Sequence, residues 1–180
     1  VTGRIDKSST LPEANDTFFY PSVYSSVVVS ELFELPDFVS FLKLRGSYAQ
    51  VAGDLGIYEA TNSYNTGRYR NVPTASFPGR LENPNLEPAF TNSYELGFEF
   101  KVLNSRLGID FSYYKNKNGP QIFTQPFSPS SGYDGILLNG RTTERTGIDF
   151  SFTAVPVRTD DFEWSAIVNF DMNENVLTSL

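Results

Sequence analysis

Between residues 94 and 102 apolar and polar side chains alternate without a break. Tyr94, Leu96, Phe98, Phe100 and Val102 fall on one parity, and Glu95, Gly97, Glu99 and Lys101 on the other. Successive side chains of a strand point to opposite faces, so the segment predicts a strand with one apolar and one charged face. The same rule returns three times. Leu107, Ile109, Phe111 and Tyr113 oppose Gly108, Asp110, Ser112 and Tyr114; Ile148, Phe150, Phe152 and Ala154 oppose Asp149, Ser151 and Thr153. Phe162, Trp164, Ala166, Val168, Phe170 and Met172 oppose Glu163, Ser165, Asn169 and Asp171, with Ile167 the one apolar residue on the polar side. Two earlier segments follow the rule less cleanly: Leu42, Leu44, Gly46 and Tyr48 against Lys43, Arg45 and Ser47, and Phe19, Val23, Val27 and Val29, where Val28 spoils the opposite face. About six strands are expected.

The connections alternate in length. Asn104 and Ser105 mark a tight turn, residues 156–161 a second short connection with Thr159, Asp160 and Asp161 as turn residues, and residues 32–39 a compact link with room for a helical turn before Pro36. Residues 52–92 and 116–140, rich in Gly, Pro, Asn, Ser and Tyr, read as long loops. Short turns on one side and long loops on the other are the layout of an outer-membrane barrel, with an apolar face to lipid and a polar face to a wet lumen. About ten residues at roughly 3.3 Å each, tilted near 45°, cover roughly 24 Å, the height of its apolar band. A soluble β-sandwich would alternate in the same way, its apolar faces packed on each other. Against it stand the two long loops and the 16 Phe and 10 Tyr, which a small sandwich core would place only by overpacking.

Composition narrows the chemistry. No run of about 18 apolar residues exists, so no transmembrane helix is expected. With no Cys and no His, the chain lacks disulfides, thiolate nucleophiles, histidine bases and the usual nitrogen or sulfur metal ligands. A net charge of −7 and a pI near 4.6 argue against nucleic acid, whose binding needs a basic patch. The first ten residues, VTGRIDKSST, have neither a basic n-region nor an apolar h-region, so no signal peptide is expected there; if the protein is exported, this segment is not its beginning.

Glu95, Glu99, Asp110, Asp149, Glu163 and Asp171 share the polar parity, and a carboxylate pair can do acid/base work at a suitable separation. Hydrated lumen charge offset by Lys43, Arg45 and Lys101 explains them more simply, so no catalytic residue is expected. Trp164, Phe162, Tyr94, Tyr113 and Phe19 sit near strand ends and fit an interfacial girdle better than a sugar platform. Tyr58, Tyr64 and Tyr69, with Arg68 and Arg70, lie in the long loop and are the candidates for contact with a ligand or a lid, against ordinary loop packing. Asp54, Glu59, Asp134 and Asn139 have oxygen ligands but no spacing that fits a Ca²⁺ loop, so neither metal nor cofactor is expected.

In order and approximate spacing, Tyr20-Pro21-Ser22-Val23, Leu42-Lys43-Leu44-Arg45-Gly46-Ser47-Tyr48, Asn83-Pro84-Asn85-Leu86-Glu87-Pro88 and Ser93-Tyr94-Glu95-Leu96-Gly97 resemble the barrel of SusC/RagA-type TonB-dependent outer-membrane transporters. Residues 104–115 (NSRLGIDFSYYK) and Gly147-Ile148-Asp149 extend the resemblance from about Asp6 to the end, although Ala89 stands where that family often has Glu and Arg141 where a Gly is common. It implies an all-β fold: an antiparallel meander of transmembrane strands, a section of a large, plugged barrel of the roughly 22-stranded class. Residues 1–180 would then be part of the barrel domain from its C-terminal half, without the plug and the terminal strands, ending near residues 175–180 in a turn. The resemblance further implies import of an oligosaccharide or a peptide across the bacterial outer membrane, driven through TonB, with a SusD-like surface lipoprotein as partner and no enzyme activity. An iron-chelate receptor and a soluble β-rich binding or adhesion module are the alternatives. On the barrel reading, Arg in place of Phe98 or Phe150 should cost far more than Arg in place of Gly97 or Ser151, local crowding apart.

Overall fold

The computed structural model describes residues 1–53, 55–56, 64–77 and 79–179. The strands are β1 (Thr2–Lys7), β2 (Thr17–Val28), β3 (Val39–Gly53), β4 (Asn65–Tyr69), β5 (Val72–Ser76), β6 (Arg80–Leu81), β7 (Ala89–Val102), β8 (Leu107–Pro126), β9 (Gly135–Arg158) and β10 (Glu163–Ser179), with one helical turn, α1 (Val29–Leu32), after β2. Seven of them form an antiparallel meander in the order β1-β2-β3-β7-β8-β9-β10, β6 adds to β9 in parallel, and β4 and β5 form a separate hairpin. The sheet stays open, with β1 and β10 at its edges. All six expected strands are present.

Register makes the two faces continuous. Residues directly opposite each other in an antiparallel ladder share a face. One row runs Val27, Leu44, Phe98, Phe111, Phe150, Phe170 across six strands, and the next runs Ser26, Arg45, Gly97, Ser112, Asp149, Asp171. The first is apolar, the second polar. Apolar rows repeat on both sides, as Leu42, Phe100, Ile109, Phe152, Val168 and as Gly46, Leu96, Tyr113, Ile148, Met172. Among the described residues no second sheet covers this face: Leu96 is 66% exposed and Met172 62%. The sandwich alternative required such a cover.

The short connections lie at one end of the meander. Residues 103–106 turn with Leu103, Asn104 and Ser105 all in the left-handed region (φ 54, 56 and 62°), closed by a bond from Arg106 N–H to the Leu103 carbonyl. Thr159 and Phe162 close the β9–β10 turn, the Thr159 N–H reaching the Phe162 carbonyl at 2.8 Å and the Phe162 N–H reaching Thr159 Oγ1 at 3.1 Å. Pro156, assigned to that turn by sequence, is still within β9. The helical turn falls at Val29–Leu32, just before the link expected to hold it.

Three expectations are corrected. Residues 116–140 are not one long loop: β8 runs to Pro126 and β9 begins at Gly135. Polar stretches such as Asn116-Lys117-Asn118 and Thr143-Glu144-Arg145 pair through their backbones, and the ladder absorbs Gly119 and Pro120 at a register shift. On the barrel expectation such polar strand needs no apolar parity, because beyond the lipid both faces of a barrel strand are wet. The chain does not turn near residues 175–180: β10 continues to Ser179, its polar Asn173, Glu174 and Asn175 paired with β9. Within residues 52–92 the structure holds β4, β5 and β6. At 20 and 24 residues, β8 and β9 are about twice as long as a membrane span requires, and their surplus rises on the long-loop side.

The uncovered apolar face far exceeds the few hundred Å² that soluble monomers expose. The isolated 180-residue chain should therefore aggregate in plain buffer and disperse in detergent, as read by light scattering. A monodisperse, cooperatively folding monomer without detergent would contradict the membrane reading.

Candidate functional site

The outward face is a band bounded by aromatic rings. At its loop-side border Tyr48 and Tyr94 are opposite each other, ring centroids 5.0 Å apart. Beyond them polar side chains take over: Lys115 pairs with Glu144 at 2.7 Å, and Tyr48 and Gln50 donate to Asn92. At the short-turn border Phe162 and Trp164 stand exposed, and midway Phe98 and Phe111 pack at 5.6 Å. Rings at both borders and aliphatic and phenyl groups between them match the lipid-facing surface of a barrel strand set. Of the five rings expected in a girdle, Phe19, Tyr94, Tyr113 and Trp164 lie on the apolar face of the sheet, and Phe162 stands exposed in the β9–β10 turn.

The inward face is organised by one guanidinium. From β3, Arg45 reaches across β7 to β8, with Nη2 2.7 Å from Asp110 Oδ1 and 2.5 Å from the buried Ser112 Oγ, and Nε 3.6 Å from Glu95 Oε1. It passes over Gly97. A Cβ on Gly97 would lie 2.8 Å from Arg45 Nε and 2.7 Å from the Phe111 carbonyl, so only glycine lets the arginine lie flat. Gly147 serves Tyr114 in the same way, a Cβ there falling 2.5 Å from the phenol oxygen. Lys101 pairs with Glu99 at 2.8 Å and Arg158 with Glu163 at 2.8 Å. Among the described residues, then, the carboxylates Glu95, Glu99, Asp110 and Glu163 have cationic neighbours. Asp149 and Asp171 stand opposite each other across β9 and β10. Arg45 and Lys101 offset carboxylates as expected.

At Gly97 the local crowding excepted from the charge expectation is decisive. Gly97 is not an interchangeable lumen position for a charged residue, because any side chain there displaces Arg45 or the β8 backbone. Gly97→Val should lower stability by about 1–3 kcal/mol by overpacking, while Gly53→Ala, whose added Cβ meets nothing nearer than the Ala89 carbonyl at 3.8 Å, should be tolerated. Urea unfolding of the full-length barrel checks this pair. Equal effects at both glycines would show that the Arg45 bridge does not hold the strands.

On the long-loop side, the motif Asn83-Pro84-Asn85-Leu86-Glu87-Pro88 is a clamp. Leu86 is wholly buried (0% exposed), and Leu11 and Leu137 are buried as well. Asn83 Nδ2 donates to the Leu137 carbonyl at 2.9 Å, and Asn15 Nδ2 donates to the Leu86 carbonyl at 3.0 Å. Asn139 holds the Glu87 peptide from both sides, accepting from its N–H at 2.9 Å and donating to its carbonyl at 2.7 Å. Residues 8–16, the motif and the raised part of β9 are thereby tied together. Beside them the Asp16 carboxyl is held below its usual range by the Thr17 hydroxyl and by Lys7 at 3.1 Å.

From this base the β4–β5 hairpin projects, every one of its strand residues exposed. Tyr64 at its foot packs edge-on against Phe77 at 5.7 Å, and Phe77 against Tyr133 at 5.9 Å. Asp134 N–H donates to the Gly79 carbonyl at 2.6 Å, and β6 pairs with β9. Arg68 and Tyr69 end β4, and Arg70 and Asn71 form the turn with φ of 45 and 69°. The Arg70 guanidinium lies 5.6 Å from the Tyr69 ring. Of the candidates taken from sequence, Arg68, Tyr69 and Arg70 meet at one tip, Tyr64 lies at the base, and Tyr58 lies outside the described residues. Asp54 and Glu59 also lie outside them, Asn139 belongs to the clamp, and among the described residues no acidic cluster is arranged to hold a metal.

Sequence reasoning missed Phe77, Tyr133, Leu86 and Asn139. A lone Leu framed by Asn and Pro was the available signal for the clamp. Nothing in the sequence marks Phe77 and Tyr133 as partners, because 56 positions separate them.

The family model described as "TonB dependent receptor-like, beta-barrel" matches residues 1–178. TonB-dependent receptor P26 of Formosa agariphila is 29% identical over 189 residues, covering 100% of this chain and 19% of that protein. TonB-dependent receptor SusC of Bacteroides thetaiotaomicron is 26% identical, covering 99% and 19%. The chain thus spans about a fifth of the length of these curated relatives. Among solved structures, the RagAB peptide transporter matches with a TM-score of 0.87 at 22% identity, over 99% of this chain and 20% of that one. The siderophore receptor PirA from Pseudomonas aeruginosa matches with a TM-score of 0.52 at 16% identity, over 92% and 30%. At these identities the structural likenesses speak for the fold.

Proposed function

Because the chain belongs to the TonB-dependent receptor-like β-barrel family, we propose that it forms one wall of an outer-membrane importer for a bulky nutrient, an oligosaccharide or a peptide. The observation that carries this is the pair of unbroken rows, apolar from Val27 to Phe170 and polar from Ser26 to Asp171. One face suits lipid and the other a wet passage. The peptide class draws on the name of the similar RagAB transporter, and the oligosaccharide class on the sequence resemblance to SusC-type transporters. In this reading the wall is passive. Energy enters through TonB, contacted by parts of the protein beyond this section, and a SusD-like surface lipoprotein presents the nutrient from the side where the clamp and the hairpin stand. No residue of this chain performs chemistry on the cargo.

The test uses the full-length protein in its outer membrane and follows uptake of labelled oligosaccharide and oligopeptide pools. The expected result is saturable uptake of one pool that disappears when TonB is deleted. Uptake of neither pool, with TonB-dependent accumulation of a ferric chelate instead, would contradict the nutrient class and leave the barrel reading standing.

A further inference from the structure

The β4–β5 hairpin is a poor structure to leave alone in water. Two-stranded hairpins are marginal without a surface to pack against, and here both faces are exposed. Its tip is nevertheless specific. Arg70 and Asn71 are both left-handed, as a tight two-residue hairpin turn requires, and the turn fixes where the Arg70 side chain leaves the backbone. Tyr69 and Val72 stand opposite each other, 67% and 61% exposed, and form an apolar pair flanked by Arg68 and Arg70. Residues 64–77 contain two arginines and no acidic residue, in a chain whose net charge is −7. Among the described residues no ion pair engages Arg68. The aromatic ladder from Tyr64 through Phe77 to Tyr133 and the β6–β9 pairing fix the foot of the hairpin, so the tip is presented in a set direction.

We propose that the hairpin tip is a docking element for an acidic face of a second polypeptide, the surface lipoprotein of the reading above, with Arg68 and Arg70 pairing its carboxylates around the apolar centre of Tyr69 and Val72. The inference rests on that reading and names the element of this chain that meets the partner. Charge complementarity selects the partner's sign. A guanidinium binds carboxylate in a planar, two-bonded geometry, and Tyr and Arg around an apolar centre are the usual anchors of protein interfaces. A phosphate or sulfate site would want donors converging on one point. This tip instead spreads its cations around an apolar pair.

The test purifies the full-length protein from outer membranes in mild detergent at about 150 mM salt, with co-purifying lipoprotein identified by mass spectrometry. A photo-crosslinking residue replaces Val72. The crosslink should join a lipoprotein peptide rich in Asp or Glu. Arg68→Glu with Arg70→Glu should reduce bound lipoprotein by about tenfold or more, while Arg68→Lys with Arg70→Lys keeps most of it. Heat-modifiable gel mobility should show equal amounts of folded barrel in all variants. Unchanged lipoprotein binding after charge reversal, or a crosslink to lipopolysaccharide or to a labelled anionic oligosaccharide, would overturn the docking role alone. Absence of any bound lipoprotein in the unaltered protein would overturn the partner reading and the docking role together.

Discussion

Arg in place of Phe98 or Phe150 should destabilise the full-length barrel by about 2–4 kcal/mol, the cost of a cation on the lipid face near the bilayer midplane. Both residues lie in the same central row, with Phe111 between them and one further row of apolar side chains on each side. Neither position lets the charge reach water by a short bend of the chain. Arg in place of Ser151, one residue from Phe150, faces the opposite way, where its neighbours across the ladder are Asp110 and Asn169. Arg in place of Ser47 would arrive opposite Glu95. Both should cost under about 1 kcal/mol, since a charge on the wet side keeps its hydration and gains an acidic neighbour at each of the two sites. Folded barrel in the outer membrane, read by heat-modifiable mobility and by urea midpoint, separates the outcomes. The contrast should follow strand parity rather than position along the strand.

The second large effect lies away from the membrane. Leu86→Ala should open the clamp without unfolding the barrel, because Leu86 is wholly buried yet sits in a loop tied down by only a few bonds. Truncating a buried leucine costs about 2–5 kcal/mol, and here that loss falls on the local closing of residues 83–88 rather than on the sheet. Hydrogen exchange at the Glu87 N–H, which Asn139 holds in the closed form, should accelerate by about thirtyfold or more. Asn139→Ala should show the same effect more weakly, since it removes hydrogen bonds and leaves the apolar contact. Unchanged exchange at Glu87 in Leu86→Ala would mean that the clamp draws its stability from elsewhere.

The alternating half of the fold was legible because, on this account, lipid imposes parity. Every residue from Tyr94 to Val102 must answer to one solvent or the other, and the alternation is the record of that. The raised halves of β8 and β9 answer to water on both sides, so Lys117 and Thr143 carry no parity signal although they stand in the same antiparallel ladder as the residues below. For the same reason the end of β10 looked like a turn. The hairpin was invisible from another cause: Asn65-Thr66-Gly67-Arg68-Tyr69 has no apolar face, because it packs on nothing within the described residues. Arg68, Tyr69 and Arg70 could still be chosen by residue type, and the turn then brought them to one tip. The roles of Gly97 and Asn139 were out of reach, since each depends on a group more than 50 positions away, the Arg45 side chain for one and the Glu87 backbone for the other.

The central claim is that one face of this sheet meets lipid and the other does not. The chain has no cysteine, so single cysteines placed along β8 at positions 109 to 114 can carry spin labels with no background from this section. In the full-length protein, made cysteine-free elsewhere and reconstituted in bilayers, labels in place of Ile109, Phe111 and Tyr113 should collide readily with oxygen and hardly with a water-soluble nickel complex. Labels in place of Asp110, Ser112 and Tyr114 should show no such preference for oxygen. The account predicts a preference that alternates with a period of two residues along β8. A preference that stays constant from 109 to 114, in either direction, would contradict it.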